Sequence, residues 1–198
     1  MLKRLFDVLT AGTLLIAATP FLGLVAVAVW IDGGRPVFFS QTRSGRHGAP
    51  FTLYKLRTLH PDTGLVDAPR DHTTRVGRWL RRWGLDELPQ LWNVLRGDMS
   101  LVGPRPTLPQ QVARYGAFER QRLAVRPGLT GWAQVHGRNA IPWPERIALD
   151  VWYVHHRSLW LDLRILLRTP RAVLMGTGVY GRDGINPGFE SSAPTAYR

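Results

Sequence analysis

The 198-residue chain has no cysteine, which excludes disulfides, thiolate zinc sites and a cysteine nucleophile and leaves the redox compartment undetermined. Acidic residues are scarce: 14 Asp plus Glu stand against 26 Lys plus Arg, for a formal charge of +12. An excess of that size calls for an anionic partner, whether nucleic acid, phospholipid or a phosphorylated substrate, and does not choose among them. Charge is also missing locally, since no residue from Val8 to Ile31 is ionisable. No internal repeat is present, and the length suits one domain with a real core. Against these absences stand eight tryptophans, a residue that concentrates at membrane interfaces and also fills ordinary cores.

The uncharged run spans about 24 residues, enough for a helix to cross a hydrocarbon layer of roughly 30 Å. It is too long for the apolar core of a signal peptide and continues past Ala17-Ala18. Pro20 near its middle removes an amide donor and clashes one turn back. Lys3 and Arg4 precede the run, and Arg35, Arg43 and Arg46 follow it, so both flanks carry the cytoplasmic charge signature. A hairpin that breaks at Thr19-Pro20 and leaves on the side it entered satisfies both flanks, with the Thr19 hydroxyl available to a carbonyl freed by the proline. A straight spanning helix is the alternative.

The centre of the chain reads Leu85-Asp86-Glu87-Leu88-Pro89-Gln90-Leu91-Trp92-Asn93-Val94-Leu95-Arg96-Gly97. Leu88, Leu91, Trp92 and Leu95 follow the helical period, Asp86 stands where an N-cap would, and Gly97 where a left-handed C-terminal cap would. Two carboxylates at a positive helix end favour ionised Asp86 and also suit a phosphate or a hydrated metal ion. Beyond it, Pro104 and Pro106 stiffen the backbone on both sides of Arg105.

Leu85-Asp86-Glu87-Leu88-Pro89-Gln90, Asn93 to Ser100 and Val102-Gly103-Pro104-Arg105-Pro106 together resemble the signature of the bacterial sugar transferases, the monotopic phosphoglycosyl transferases that start glycan assembly on a polyprenyl phosphate. The resemblance resumes at Arg126-Pro127-Gly128-Leu129-Thr130-Gly131-Trp132-Ala133-Gln134-Val135 and Gly137-Arg138-Asn139 and includes the N-terminal segment. It implies an α+β fold: a re-entrant helix-break-helix over 1–34, then a catalytic domain over 35–176 with a small β-hairpin and mainly helical, amphipathic, membrane-surface elements. A flexible tail over 177–198 follows from its Gly, Ser and Pro content.

By the same resemblance Asp86 is the nucleophile that takes a phospho-sugar from a UDP-sugar, releases UMP and passes its cargo to polyprenyl (undecaprenyl) phosphate. Glu87 is assigned to holding Mg²⁺ or orienting the phosphate, and Asp86 and Glu87 together are the expected metal ligands. Lys55, Arg57, Arg81, Arg105, Pro106, Arg126 and Arg138 are the expected substrate-binding set. Expected partners are the UDP-sugar, the polyprenyl phosphate and membrane phospholipid, with no nucleic acid; a homodimer stays open. The location implied is the cytosolic face of the bacterial inner membrane, and the product feeds exopolysaccharide or lipopolysaccharide assembly. The chain reads as the minimal form, without the extra transmembrane helices of larger relatives. Departures from the family pattern are Thr58-Leu59 after the Lys-x-Arg strand, Thr107 where many relatives carry Glu, and His136 in place of Asn. The sugar is not legible. A membrane-anchored binding module for nucleic acid or anionic lipid would explain the charge but not the Asp86-Glu87 pair beside a proline-clamped arginine.

Around this stretch, residues 35–59 alternate as a hairpin, with Lys55 and Arg57 on one strand face. Residues 60–74 read as a polar loop suited to a lid. Val76, Trp79, Leu80 and Trp83 mark one face of a basic amphipathic helix, residues 109–126 a second helix, and Gly131 to Arg138 a strand and turn. Glu145 to Tyr153 is helical, as is Leu159 to Leu174, the latter with Arg164, Arg168 and Arg171 along one stripe.

Overall fold

The computed structural model describes residues 1–60 and 72–175. Most of the expected lid and the whole of the expected tail lie outside the described residues.

The apolar run folds as one helix, α1, from Leu2 to Gly33, helical through Pro20. The expected break at Thr19-Pro20 is therefore absent as an interruption of helical structure. Proline deprives the Ile16 carbonyl of its donor, yet the Thr19 hydroxyl donates to the Leu15 carbonyl at 2.8 Å, one residue earlier than expected, and the flanking Leu and Ala are strong helix formers.

Both ends of α1 are tied to the rest of the chain by polar contacts. At its start, Lys3 reaches Asp162 at 2.6 Å, Arg4 donates to the Val94 and Leu95 carbonyls at 2.6 and 2.9 Å, and Asp7 accepts from the Ser100 hydroxyl at 2.8 Å. At its end, Asp32 accepts from the Val76 amide at 2.7 Å. Between them Leu14, Ile16, Phe21, Leu24 and Val27 are exposed.

Strands β1 (Phe38–Ser44) and β2 (Pro50–Leu56) pair antiparallel, with Phe39 opposite Lys55 and Arg43 opposite Phe51. Helix α2 (Arg75–Trp83) is N-capped by the Thr74 side chain and buries Leu80, while Trp79 faces out at 48% exposure, against the expected apolar face. Gly84 ends it at φ 65°, and the chain turns directly into a 3-10 turn, Leu85–Glu87. Asp86 thus sits inside that turn and is not the N-cap of α3, which runs from Gln90 to Arg96. Gly97 closes α3 in the left-handed region as its position predicts. The buried side of α3 is Leu91, Asn93 and Val94; Trp92 is half exposed, because the short helix packs on α1 and β2 through the neighbouring face.

Asn93 explains that rotation. Its amide accepts from the Tyr54 amide at 3.2 Å and donates to the Thr52 carbonyl at 2.7 Å, so the helix is stitched to β2 by a fully buried polar side chain.

The short strands β3 (Ser100–Val102) and β4 (Gly128–Thr130) pair in parallel. Where they meet, a Cβ on Gly128 would lie 2.0 Å from the Gly103 amide nitrogen and one on Gly103 would lie 2.5 Å from the Arg126 carbonyl, so neither position admits a side chain. This approach presses the Arg126-Pro127-Gly128 turn against the segment that carries Arg105.

Residues 109–126 are not one helix but two short ones, α4 (Pro109–Val112) and α5 (Ala117–Arg120), followed by a 3-10 turn, with Gly116 interrupting between them. Residues 132–135, expected as strand, form the short helix α6 (Trp132–Val135). Helices α7 (Trp143–His156) and α8 (Leu159–Leu174) complete the chain, the latter capped by Ser158. Leu53, Leu91, Met99, Leu101, Tyr153 and Ile165 form the centre of the main core.

Candidate active site

The carboxylate pair is delivered by the Gly84 turn, which points Asp86 inward and leaves Glu87 partly exposed. Asp86 is 6% exposed, and among the described residues its carboxylate accepts no hydrogen bond. Burial, reinforced by the neighbouring Glu87, pushes the Asp86 carboxyl up to about 6 against the pull of Lys55, Arg81 and Arg105. Glu87 goes the other way. Burial opposes its ionisation, but the Arg105 guanidinium, by charge and by hydrogen bonds of 2.5 and 3.3 Å, together with Lys55 and Arg138, holds it below the usual carboxylate range. Two adjacent carboxylates thereby acquire different chemistry: one is neutralised by a forked arginine, the other is unpaired in a ring of cations.

The cations come from four separate elements. Lys55, near the end of β2, lies with its ammonium 5.0 Å from the Phe39 ring centre, and burial lowers its pKa despite Asp86 nearby. Arg81 on α2 is fixed by donating from Nε to the Thr58 hydroxyl at 2.7 Å, and its charge acts on both Asp86 and Lys55. Arg105 projects between two buried prolines, Pro104 and Pro106. Arg138, at φ 53°, follows α6, and Glu87, Arg105 and Asp86 are the charges acting on it. Pro106 lines a cavity with room for about one water behind Arg105, beside Thr107 and Arg122.

Two expected members stand apart. Arg57 donates to the Arg35 carbonyl at 3.4 Å, and Arg126 donates to the Gly97 carbonyl at 2.7 Å; neither is among the leading charges on Asp86 or Glu87. Arg57 lies one residue beyond β2, so the expected shared strand face with Lys55 ends before it. Arg126 contributes its backbone to the Gly103 crossing instead.

Sequence reading missed three groups. Arg43, on β1, adds its charge at Lys55. Arg122 and Asp150 form a buried ion pair at 2.5 Å, and Arg122 also donates to the Arg105 carbonyl at 2.9 Å. Arg146 donates to the Asn139 side chain at 2.9 Å and the Ile141 carbonyl at 2.8 Å. A visible signal existed for Asp150: it lies between Ile147 and Val151 on the buried side of its helix, where a lone acid demands a partner.

Among the described residues, no three His, Cys, Asp or Glu side chains converge on a point. Asp86 and Glu87 are two neighbouring carboxylates, the donor type that magnesium takes at phosphoryl sites together with phosphate oxygens and water.

A bacterial sugar transferase profile matches residues 1–176. An uncharacterized sugar transferase of Bacillus subtilis, EpsL, is 49% identical over 183 residues, 90% of either chain. The UDP-glucose:undecaprenyl-phosphate glucose-1-phosphate transferase of Caulobacter vibrioides is 45% identical, covering 90% of this chain and 72% of its own. The undecaprenyl-phosphate glucose phosphotransferase of Komagataeibacter xylinus is 43% identical over 84% of this chain, which spans only 35% of that longer protein. With these matches and the ringed carboxylate pair in view, the chain belongs to the bacterial sugar transferase family.

Proposed function

We propose that this enzyme moves a phospho-sugar from a UDP-sugar to polyprenyl phosphate by way of a covalent intermediate on Asp86. The observation that carries the reading is the division of labour in the dyad: Glu87 is neutralised by Arg105, while Asp86 is buried, unpartnered among the described residues and flanked by Lys55 and Arg81. An Asp86 Oδ attacks the sugar-proximal phosphorus, the bond from that phosphorus to the bridging oxygen breaks, and UMP leaves with the bridging oxygen. A polyprenyl phosphate oxygen then attacks the same phosphorus, the Asp86 Oδ–P bond breaks, and the carboxylate is restored beside a polyprenyl diphosphate sugar. A carboxylate suits the double displacement because the acyl phosphate it forms transfers its group readily.

Lys55, Arg81, Arg105 and Arg138 carry four positive charges against two on the dyad, a surplus of two that matches a diphosphate. Arg105 is anchored to Glu87 at 2.5 Å, so its fork is preset and costs little reorganisation when phosphate arrives. Asp86 and Glu87 would hold Mg²⁺. When bound, the ion would offset charge on the diphosphate oxygens.

A membrane setting follows from two features. Both ends of α1 make polar contacts with the rest of the chain, which supports placing them on one side of a bilayer, while between them the exposed side chains are apolar apart from Thr13 and Thr19. On α8, Trp160, Leu163, Leu167 and Leu174 are exposed opposite the buried Ile165 face, with Arg164, Arg168 and Arg171 alongside. An outward apolar face bordered by arginines suits a headgroup layer. We therefore place α1 as a monotopic, re-entrant element and the site at the cytosolic face of the inner membrane, serving exopolysaccharide or lipopolysaccharide assembly.

Intact mass of the detergent-purified protein, incubated with Mg²⁺ and single UDP-sugars in the absence of acceptor, tests the reading. A gain of one phospho-sugar with UDP-glucose, UDP-galactose or an N-acetylated donor, absent in Asp86→Asn, is expected and names the sugar. Turnover without any adduct, or an adduct that persists in Asp86→Asn, refutes the covalent route.

A further inference from the structure

Arg105 stands in a loop and Arg138 opens a three-residue 3-10 turn, and neither holds a guanidinium in register by itself. Arg138 adopts φ 53°, a conformation that a side-chain-bearing residue keeps only when its surroundings enforce it. The residues just after it are gripped by Arg146: Nη1 donates to Asn139 Oδ1 at 2.9 Å, and Nε donates to the Ile141 carbonyl at 2.8 Å. The Arg146 guanidinium in turn lies over the Trp143 ring, 4.8 Å from its centre, which limits its own rotamers. On the other arm, Asp150 takes Arg122 Nη2 at 2.5 Å, and the same nitrogen donates to the Arg105 carbonyl at 2.9 Å. Arg122 Nη1 donates to the Tyr115 hydroxyl at 2.7 Å, which donates to the Thr107 hydroxyl at 3.1 Å. The chain is thus held at the Arg105 carbonyl and at the Thr107 side chain, on either side of Pro106.

We propose that Arg146 and Asp150, one turn apart on a single face of α7, are positioning residues that set Arg138 and Arg105 around the dyad. This rests on the reading of the dyad as the phospho-sugar site. A buried ion pair such as Arg122–Asp150 commonly adds little net stability over well-packed apolar residues, so its bond to the backbone of an anion-binding arginine is what accounts for it. The charges agree with the geometry. Burial, with the charge of Arg105 next, brings Arg146 down to about 10, which places its guanidinium within electrostatic reach of Arg105.

The test is equilibrium binding of UMP, the product common to every UDP-sugar donor, by full-length protein in detergent with Mg²⁺, together with thermal midpoints. Arg146→Met is expected to weaken UMP about tenfold with its midpoint near that of the parent; Arg138→Met weakens it at least as much, and the double variant is no weaker than Arg138→Met within about twofold. Arg146→Lys keeps the charge and at most part of the clamp, so a loss there that Arg138→Met also masks is geometric. Asp150→Asn should couple in the same manner to Arg105→Met; where it fails to fold, Tyr115→Phe removes the second anchor of Arg122 and takes its place. Parent-like affinity in Arg146→Met, or losses that multiply in the double variant, overturns the proposal. Parent protein that neither binds UMP nor forms the adduct overturns the functional reading and this inference with it.

Discussion

Replacing Asp86 by Asn should inactivate the enzyme and at the same time stabilise it. The proposed nucleophile, when ionised, sits in a place that resists ionisation, and that resistance is a cost to the folded state. Its carboxyl is pushed from an ordinary 3.8 to about 6, which at 1.36 kcal/mol per tenfold change in proton affinity is about 3 kcal/mol when both folded and unfolded chains are ionised. Because the folded pKa lies above the unfolded one, the folded chain binds more protons between the two values, so the penalty is complete well above pH 6 and fades as pH falls toward 4. That shift already sets burial and Glu87 against the pull of Lys55, Arg81 and Arg105, so it is a net penalty and Asn removes it as a whole. A gain of up to about 3 kcal/mol is expected at pH 7.5, or about 6–12 °C in thermal midpoint for a chain of this size. At pH 5 the gain should be about half as large. Thermal unfolding of parent and variant in one detergent at both pH values measures it, beside an assay of UMP release. A variant less stable than the parent at pH 7.5, or a gain that does not shrink at low pH, refutes the account of Asp86 as a desolvated, unpaired carboxylate.

In the parent enzyme, kcat/KM should rise with pH through about 6 as Asp86 ionises, and a flat profile from pH 5 to 8 would count against its role. Arg105→Lys loses the fork to Glu87 and should lower kcat/KM by about ten- to a hundredfold, whereas Arg57→Lys, which lies apart from the dyad, should stay within about twofold in the same UMP-release assay. Asn93→Leu leaves the Tyr54 amide and Thr52 carbonyl without their partner and should cost about 2–4 kcal/mol, read by chemical denaturation. Leu163→Glu with Leu167→Glu should lower the fraction of protein that floats with anionic vesicles, α1 retaining the remainder, without lowering the thermal midpoint, since both side chains already face outward.

Elements with a strong local signal were legible. The 3.6-residue pattern gave α8 to the residue, and Gly97 closed α3 where expected. Residues 109–126 are interrupted at Gly116, and residues 131–138 start at Gly131, where a Cβ would lie 2.2 Å from the Gly103 carbonyl, a crossing that no local window contains. Trp79 and Trp92 fit a buried stripe by spacing, but burial depends on what packs opposite, and both are half exposed among the described residues. The site was half legible for the same reason. Asp86, Glu87 and Arg105 stand in one motif, whereas the Arg122–Asp150 pair joins residues 28 positions apart.

What the sequence determined by itself was the chemistry on offer: an uncharged segment that must leave water, a surplus of arginine that must meet anions, no thiol, and two adjacent carboxylates after a glycine turn. Those follow from composition and local backbone preference, which neighbours along the chain suffice to set. Only the tertiary structure decided that the two carboxylates differ. Asp86 and Glu87 are the same functional group one residue apart and both are desolvated; what separates them is that the chain brings the hydrogen-bonding fork of Arg105 onto Glu87 and leaves Asp86 without such a partner among the described residues, because electrostatic energy depends on distance and solvent in space rather than on position in sequence.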